Sequence, residues 1–142
     1  MMTVRLARIS DTPLSLDEHV AAVDSATAGA VTTFVGRVRD HDPDAADAVV
    51  ALEYSSHPDA EPTLLRIASE AAAGTDAVVA VSHRVGRLGV GEAAVVIAVA
   101  SAHRNEAFTV CREVIEAIKR DLPVWKRQVE ADGTTAWKGI GG

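Results

Sequence analysis

Two lysines, Lys119 and Lys126, flank Pro123 in the segment KRDLPVWKR (119–127), and their type and spacing suit chemistry on an anion. A lysine amine becomes a base or nucleophile near neutral pH when desolvation and neighbouring cations lower its pKa. At about 100° per residue, Ala107, Val110, Cys111, Val114, Ile115, Ile118 and Leu122 share one arc of the preceding helix. Lys119 lies at the edge of that arc, beside Phe108 and Ile115. Position alone favours a structural role, since lysines commonly complement a helix C-terminus while snorkelling to water. The next residues shift that balance. Pro123 ends the helix, Trp125 offers a large anchor for the following backbone, and Lys126 and Arg127 come straight after. Two lysines flanking a rigid turn can point at one pocket. Solvent-facing cations on an edge strand are the alternative.

Two other basic groups bear on the choice. His103-Arg104 opens the same helix, where backbone N–H groups favour an anion and an arginine adds a bidentate donor. Ser101 is a candidate cap there, so a capped helix with an exposed basic pair fits equally. Arg37 and Arg39 alternate onto one face at the end of a β-branched stretch, although strand arginines more often pair with acids on a neighbour. Neither glycine-rich nucleotide loop is present, so no cofactor is expected from such a motif. His19, His41, His57, His83 and His103 lack metal-ligand spacing, which gives no metal site. Cys111 falls on the buried arc and reads as a small core residue, and His57-Pro58 as a helix start.

The elements that must position these groups read as follows. Strands are expected over 3–9, 29–39, 48–54, 77–85, 92–101, 124–130 and 134–137, and helices over 15–26, 59–73 and 104–122. Ser15 caps the first helix, with Glu18 completing a capping box. Gly36 sits inside a strand, where a bulge or a close backbone approach is expected. Residues 41–47 form a polar loop, GRLGVG (86–91) a turn, and Asp132-Gly133 a hairpin. This order predicts an α+β fold, with helices against a largely antiparallel sheet, over one domain spanning 1–142.

Bulk properties narrow the setting. The apolar content of 48% in 142 residues supports a core without staples, and the single Cys111 excludes an internal disulfide. A net charge of −6 argues against a nucleic-acid surface and makes converging cations more informative. No run of about 18 apolar residues suggests a membrane span, and the first residues lack a secretion signal. A cytoplasmic location is the expectation.

FVGRVR (34–39), LEYSSHP (52–58), VSHRVGRLGVGE (81–92), SAHRNEAF (101–108) and KRDLPVWKR (119–127) together resemble the large, catalytic subunit of molybdopterin synthase, the MoaE family. Five motifs in register, from about residue 3 to 138, make that resemblance specific. It implies an α/β-hammerhead fold and a sulfurtransferase activity. The substrate would be a cyclic pyranopterin monophosphate, converted to the dithiolene molybdopterin. Sulfur would arrive as a thiocarboxylate on the C-terminal Gly-Gly tail of a ubiquitin-like small subunit. Two large subunits would form a homodimer at the centre of a heterotetramer.

Carried over by residue, the resemblance makes Lys119 and Lys126 catalytic. It places the substrate-anion contacts at Arg37, Val38, Arg39, His103 and Arg104, followed by Arg127 and Gln128. Lys119 would transfer a proton or transiently capture the acyl end of the tail. Lys126 would stabilise developing negative charge, while Arg39, His103 and Arg104 hold the phosphate. Gln128 stands where the family usually has Glu, and only KGIGG follows Trp137, where relatives carry further basic residues. Gly141-Gly142 also admits a sulfur-carrier reading, and the fold a non-catalytic binding module. The basic motifs speak against both.

Overall fold

The computed structural model describes residues 3–41 and 48–140. The chain runs β1 (Val4–Ser10), α1 (Leu16–Ala22), β2 (Ala30–Arg37), β3 (Val49–Ser56), α2 (Ala60–Ala72) and β4 (Val78–Arg84). It continues through β5 (Gly86–Gly89), β6 (Ala93–Ser101), α3 (Arg104–Asp121), β7 (Val124–Glu130) and β8 (Thr135–Gly139). One sheet has the order β1-β4-β6-β2 and the other β5-β3-β7-β8. The β1–β4 pairing is parallel and the other pairings are antiparallel, as the α+β reading expects.

Val78–Val81 of β4 and Ala93–Ala100 of β6 are continuous apolar runs because both faces of their sheet are covered. Val79 and Val81 of β4 pack with Val95, Ile97 and Val99 of β6 beneath α2 and α3. The alternate residues Val78, Ala80, Ala98 and Ala100 join Val23, just past α1, on the opposite face. A third cluster of Val38, Val49, Leu52, Leu88 and Ala94 forms the seam between the two sheets.

Several expectations need correction. GRLGVG is not only a turn: Gly86–Gly89 is an edge strand, pairing Leu88 with Leu52 and Gly89 with Ala51 on β3. Leu88 is wholly buried in the seam, so one apolar side chain pins a stretch whose glycines suggested a loop. Positive φ at Gly86 and Gly91 marks the bends that bracket it. α1 stops at Ala22, short of 26, where the Ser25 hydroxyl meets the Thr27 amide and hydroxyl in competition with the helix. Ser15 does cap α1 by accepting from the Glu18 amide, but the Glu18 carboxylate turns to Arg8 and leaves the capping box half made. Ser101 is not the cap of α3; His103 holds that position without a side-chain bond, and the Ser101 hydroxyl donates to Glu106. Trp125 is 45% exposed, and the buried residue that follows Pro123 is Val124. Residues 42–47 of the expected loop lie outside the described residues, as do Gly141 and Gly142.

Gly36 shows both features expected of it. The β2–β6 register shifts between Gly36 and Arg37, and a Cβ on Gly36 would lie 2.6 Å from Val95 Cγ1. Among the described residues, no helix is long and apolar enough to cross a membrane.

Candidate functional site

A cavity of about 230 Å³ opens where β2, β3, β7 and α3 converge, lined by Arg37, Arg39, His41, Val49, Leu52, Tyr54, Lys119, Lys126 and Gln128. Two guanidinium groups and two ammonium groups face one small space, and among the described residues its lining holds no carboxylate. A chain with net charge −6 has concentrated positive charge there. The arrangement suits a ligand with an anion at more than one point. A more open groove of about 520 Å³ between α2 and α3 mixes Glu70, Glu113 and Glu116 with Arg112 and Arg120, so it has no such polarity.

Each lining group is placed by identifiable local structure. The bulge after Gly36 re-aims the chain, so that Arg37 and Arg39 reach the cavity while Val38, 2% exposed, turns into the seam. Backbone bonds from the Val38 amide to the Glu92 carbonyl (3.0 Å) and from the Gly91 amide to the Val38 carbonyl (2.7 Å) hold that turn. Arg37 Nε donates to the Gly91 carbonyl at 3.0 Å, which orients its guanidinium. Gly91 also needs to be glycine, because its φ is +90° and a Cβ would sit 3.1 Å from Arg37 Nη2. Nearby, the Glu92 carboxylate accepts from Arg84 and from the Gly89 amide, tying the bend to β4; these donors hold its pKa below the usual range.

On β7, period-two alternation sends Lys126 and Gln128 into the cavity and Arg127 to the opposite face. Arg127 is engaged there, paired with Glu53 and 5.1 Å from the Trp137 ring centroid. Glu53 also pairs with Arg87 at 3.2 Å. Gln128 is 4% exposed, a neutral amide among the cations. Lys119 enters from the last turn of α3. Much of its side chain is open to water, yet desolvation of the ammonium lowers its pKa, and the charge of Lys126 lowers it further.

His103 and Arg104 do not line this cavity. They sit exposed at the opposite end of α3 from Lys119, about 22 Å away along the axis at 1.5 Å per residue. The cavity gathers Arg37, Arg39, Lys119, Lys126 and Gln128, leaving Val38, His103, Arg104 and Arg127 outside it.

His41 and Tyr54 are lining residues that sequence reasoning missed, and His83 stands behind them. A signal for Tyr54 did exist: it shares the β3 face of Leu52 and pairs with Lys126. Two further histidines, His19 and His57, are structural. His19 is fully buried between the Ser15 carbonyl (2.6 Å) and the Ser82 hydroxyl (2.7 Å), and His57 Nδ1 accepts from the Asp59 amide at the start of α2. Burial pushes the Cys111 thiol up to about 11, which keeps it protonated and unreactive near neutral pH.

Burial pushes His83 down from 6.5 to about 4, opposed by the Arg84 carbonyl and assisted by Lys119. Above pH 6.5 the ring is neutral both folded and unfolded, so it costs nothing. Between about 6.5 and 4 the unfolded chain takes up a proton that the folded chain refuses, and stability falls as pH falls. The expected loss through this group is on the order of 3 kcal/mol below both values. Urea unfolding at pH 7 and pH 4.5 checks it: His83→Phe should lose less stability over that interval than the unaltered chain. Equal losses would count against the neutral buried ring.

Comparison with known proteins covers fold and sequence alike. Residues 9–121 match the family described as MoaE protein. The molybdopterin synthase catalytic subunit 1 of Mycobacterium tuberculosis is 41% identical over 134 residues, covering 93% of this chain and 89% of that protein. The molybdopterin synthase catalytic subunit of a Nostoc species is 38% identical over 139 residues, covering 94% of this chain and 81% of its own length. The crystal structure of molybdopterin synthase from Staphylococcus aureus superposes with a TM-score of 0.85 at 31% identity, covering 92% of this chain and 95% of that one. Sequence relatives that match over almost their whole length, and a solved structure that shares the two-sheet fold, agree on one conclusion: the chain belongs to the MoaE family.

Proposed function

We propose that this chain is the catalytic subunit of a molybdopterin synthase, transferring sulfur from a thiocarboxylated small subunit to cyclic pyranopterin monophosphate to form the molybdopterin dithiolene. The observation that carries this reading is the cavity that brings the four cations Arg37, Arg39, Lys119 and Lys126 together. Both reactants are anionic at the points that must meet, one at a cyclic phosphate and the other at the thiocarboxylate ending a Gly-Gly tail. Guanidinium groups suit the phosphate because they donate in a planar fork. Lys119, with its lowered pKa, supplies an amine for proton transfer or for transient capture of the tail's acyl carbon. Lys126, the cation beside it, stabilises negative charge as the sulfur leaves the acyl carbon. The chain acts as one domain in the cytoplasm.

The length of α3 supports a two-copy site. One copy keeps His103 and Arg104 about 22 Å from Lys119, too far to grip one small substrate together. Two copies related by a two-fold axis allow each cavity to take His103 and Arg104 from the other. Val31, Phe34 and Val35 on edge strand β2, with Phe108 on the adjacent α3, expose apolar surface that a second copy would cover. The small subunits then bind outside this central homodimer, making a heterotetramer.

Reconstitution tests the reading. Purified chain, thiocarboxylated small subunit and precursor should yield dithiolene product. No product, under conditions where an established synthase pair works, would overturn the assignment.

A further inference from the structure

Tyr54 and His83 form a pair at the floor of the cavity for which the roles above leave no use. Tyr54 lines the cavity and stands opposite Lys126 in the β3–β7 register. Its other strand partner is Gly86, which puts no side chain beside the ring. Among the described residues its hydroxyl has no hydrogen-bond partner, and the half-buried side chain packs against two core clusters. A tyrosine in that position ordinarily satisfies its hydroxyl. Here the ring lines the basic cavity and the hydroxyl is not sealed in the core, so it is open to a ligand atom held there. Burial pushes the phenol up to about 12, and it therefore remains a donor across the neutral range.

His83 sets where that donor points. Its imidazole is 2% exposed on β4 and meets the Tyr54 ring edge-to-face, with centroids 5.2 Å apart and planes at 71°. Its Nδ1 lies 2.8 Å from the Arg84 carbonyl oxygen, which can only accept, so Nδ1 carries the proton and the ring cannot rotate freely. The fixed imidazole abuts the tyrosine ring from beneath, within the electrostatic reach of Lys119.

We infer that Tyr54 is a further substrate-contacting residue, donating its phenol hydrogen to an oxygen of the anionic group held between Lys119 and Lys126, and that His83 is the positioning residue for its ring. Tyr54 sits at the lysine end of the cavity, which makes the acyl oxygen of the incoming tail the favoured acceptor. A phosphate oxygen shares that chemistry. The inference rests on the synthase reading, since both anions belong to that reaction.

Steady-state kinetics of the reconstituted enzyme distinguish the possibilities. Tyr54→Phe keeps the ring and removes only the donor. It should lower kcat/KM by about tenfold to a hundredfold, the usual range for a hydrogen bond to a charged group. A higher KM for the small subunit, or a lower kcat alone, identifies the tail; a higher KM for the precursor identifies the phosphate. His83→Ala should lower activity in the unaltered chain but cost little more in a Tyr54→Phe background, whereas a merely structural loss would persist there. His83→Phe, which keeps a ring against Tyr54, should recover most of the His83→Ala loss and serves if the alanine variant does not fold. Unchanged kinetics for Tyr54→Phe would overturn the contact. Additive losses for the His83 variant and Tyr54→Phe would overturn the positioning role. If the unaltered chain makes no product, the synthase reading itself has failed, which is a separate result.

Discussion

Lys119→Ala lowers dithiolene formation by about 10²–10⁴-fold, the range expected for losing a positioned proton-transfer group or nucleophile. Folding should change little, because the ammonium end faces the cavity and the core arc of α3 is made by Ala107, Val110, Cys111, Val114 and Ile118. Lys119→Arg should not rescue activity, since a guanidinium keeps its proton at any working pH. The pH dependence has a defined sign. Desolvation, then the charge of Lys126, lowers the Lys119 pKa. An activity that needs the free amine therefore rises at lower pH than an ordinary lysine would allow. Lys126→Gln removes the nearby cation, which lets the Lys119 pKa climb and moves that rising limb to higher pH. Pre-steady-state rates across pH, read for the position of the limb and not its height, check this. Near-normal turnover in Lys119→Ala would remove it from the chemistry.

Mixed dimers supply the second large effect. Arg104→Ala alone should cost about 10²-fold or more if its guanidinium grips the substrate phosphate. Combined with Lys119→Ala chains, it should regain activity that neither variant has alone. Each mixed dimer has one intact site of two, so recovery approaches about a half of the unaltered rate in purified mixed dimers and about a quarter in a randomly assorted mixture. Co-expression with differently tagged chains, followed by assay of the doubly purified species, measures it. Recovery no greater than the sum of the two variants would place all the residues of a site in one copy.

The parts of the fold readable in the sequence are those with local causes. β4, β6 and α3 follow from apolar runs and helical periodicity, and the close approach at Gly36 from glycine inside a strand. Lys119 and Lys126 stand out because Pro123 separates them by a fixed turn. What escaped depends on distant pairing. β5 exists because Leu88 finds Leu52, which no local pattern announces. Tyr54 and His83 meet only when β3 of one sheet lies against β4 of the other. Arg127 illustrates a readable signal left unused: strand alternation alone puts it on the face opposite Lys126 and Gln128.

The eighteen residues of α3 carry a constraint on how this chain can diverge. Under the proposed roles, with the phosphate grip at one end and the reacting amine at the other, the helix works as a ruler between neighbouring sites. Deleting one residue would draw Lys119 back by about 1.5 Å and swing it about 100° around the axis, out of the cavity. Substitutions along its exposed face leave that measure intact, and loops elsewhere can lengthen without disturbing it. Length, more than composition, is what drift in this helix cannot alter.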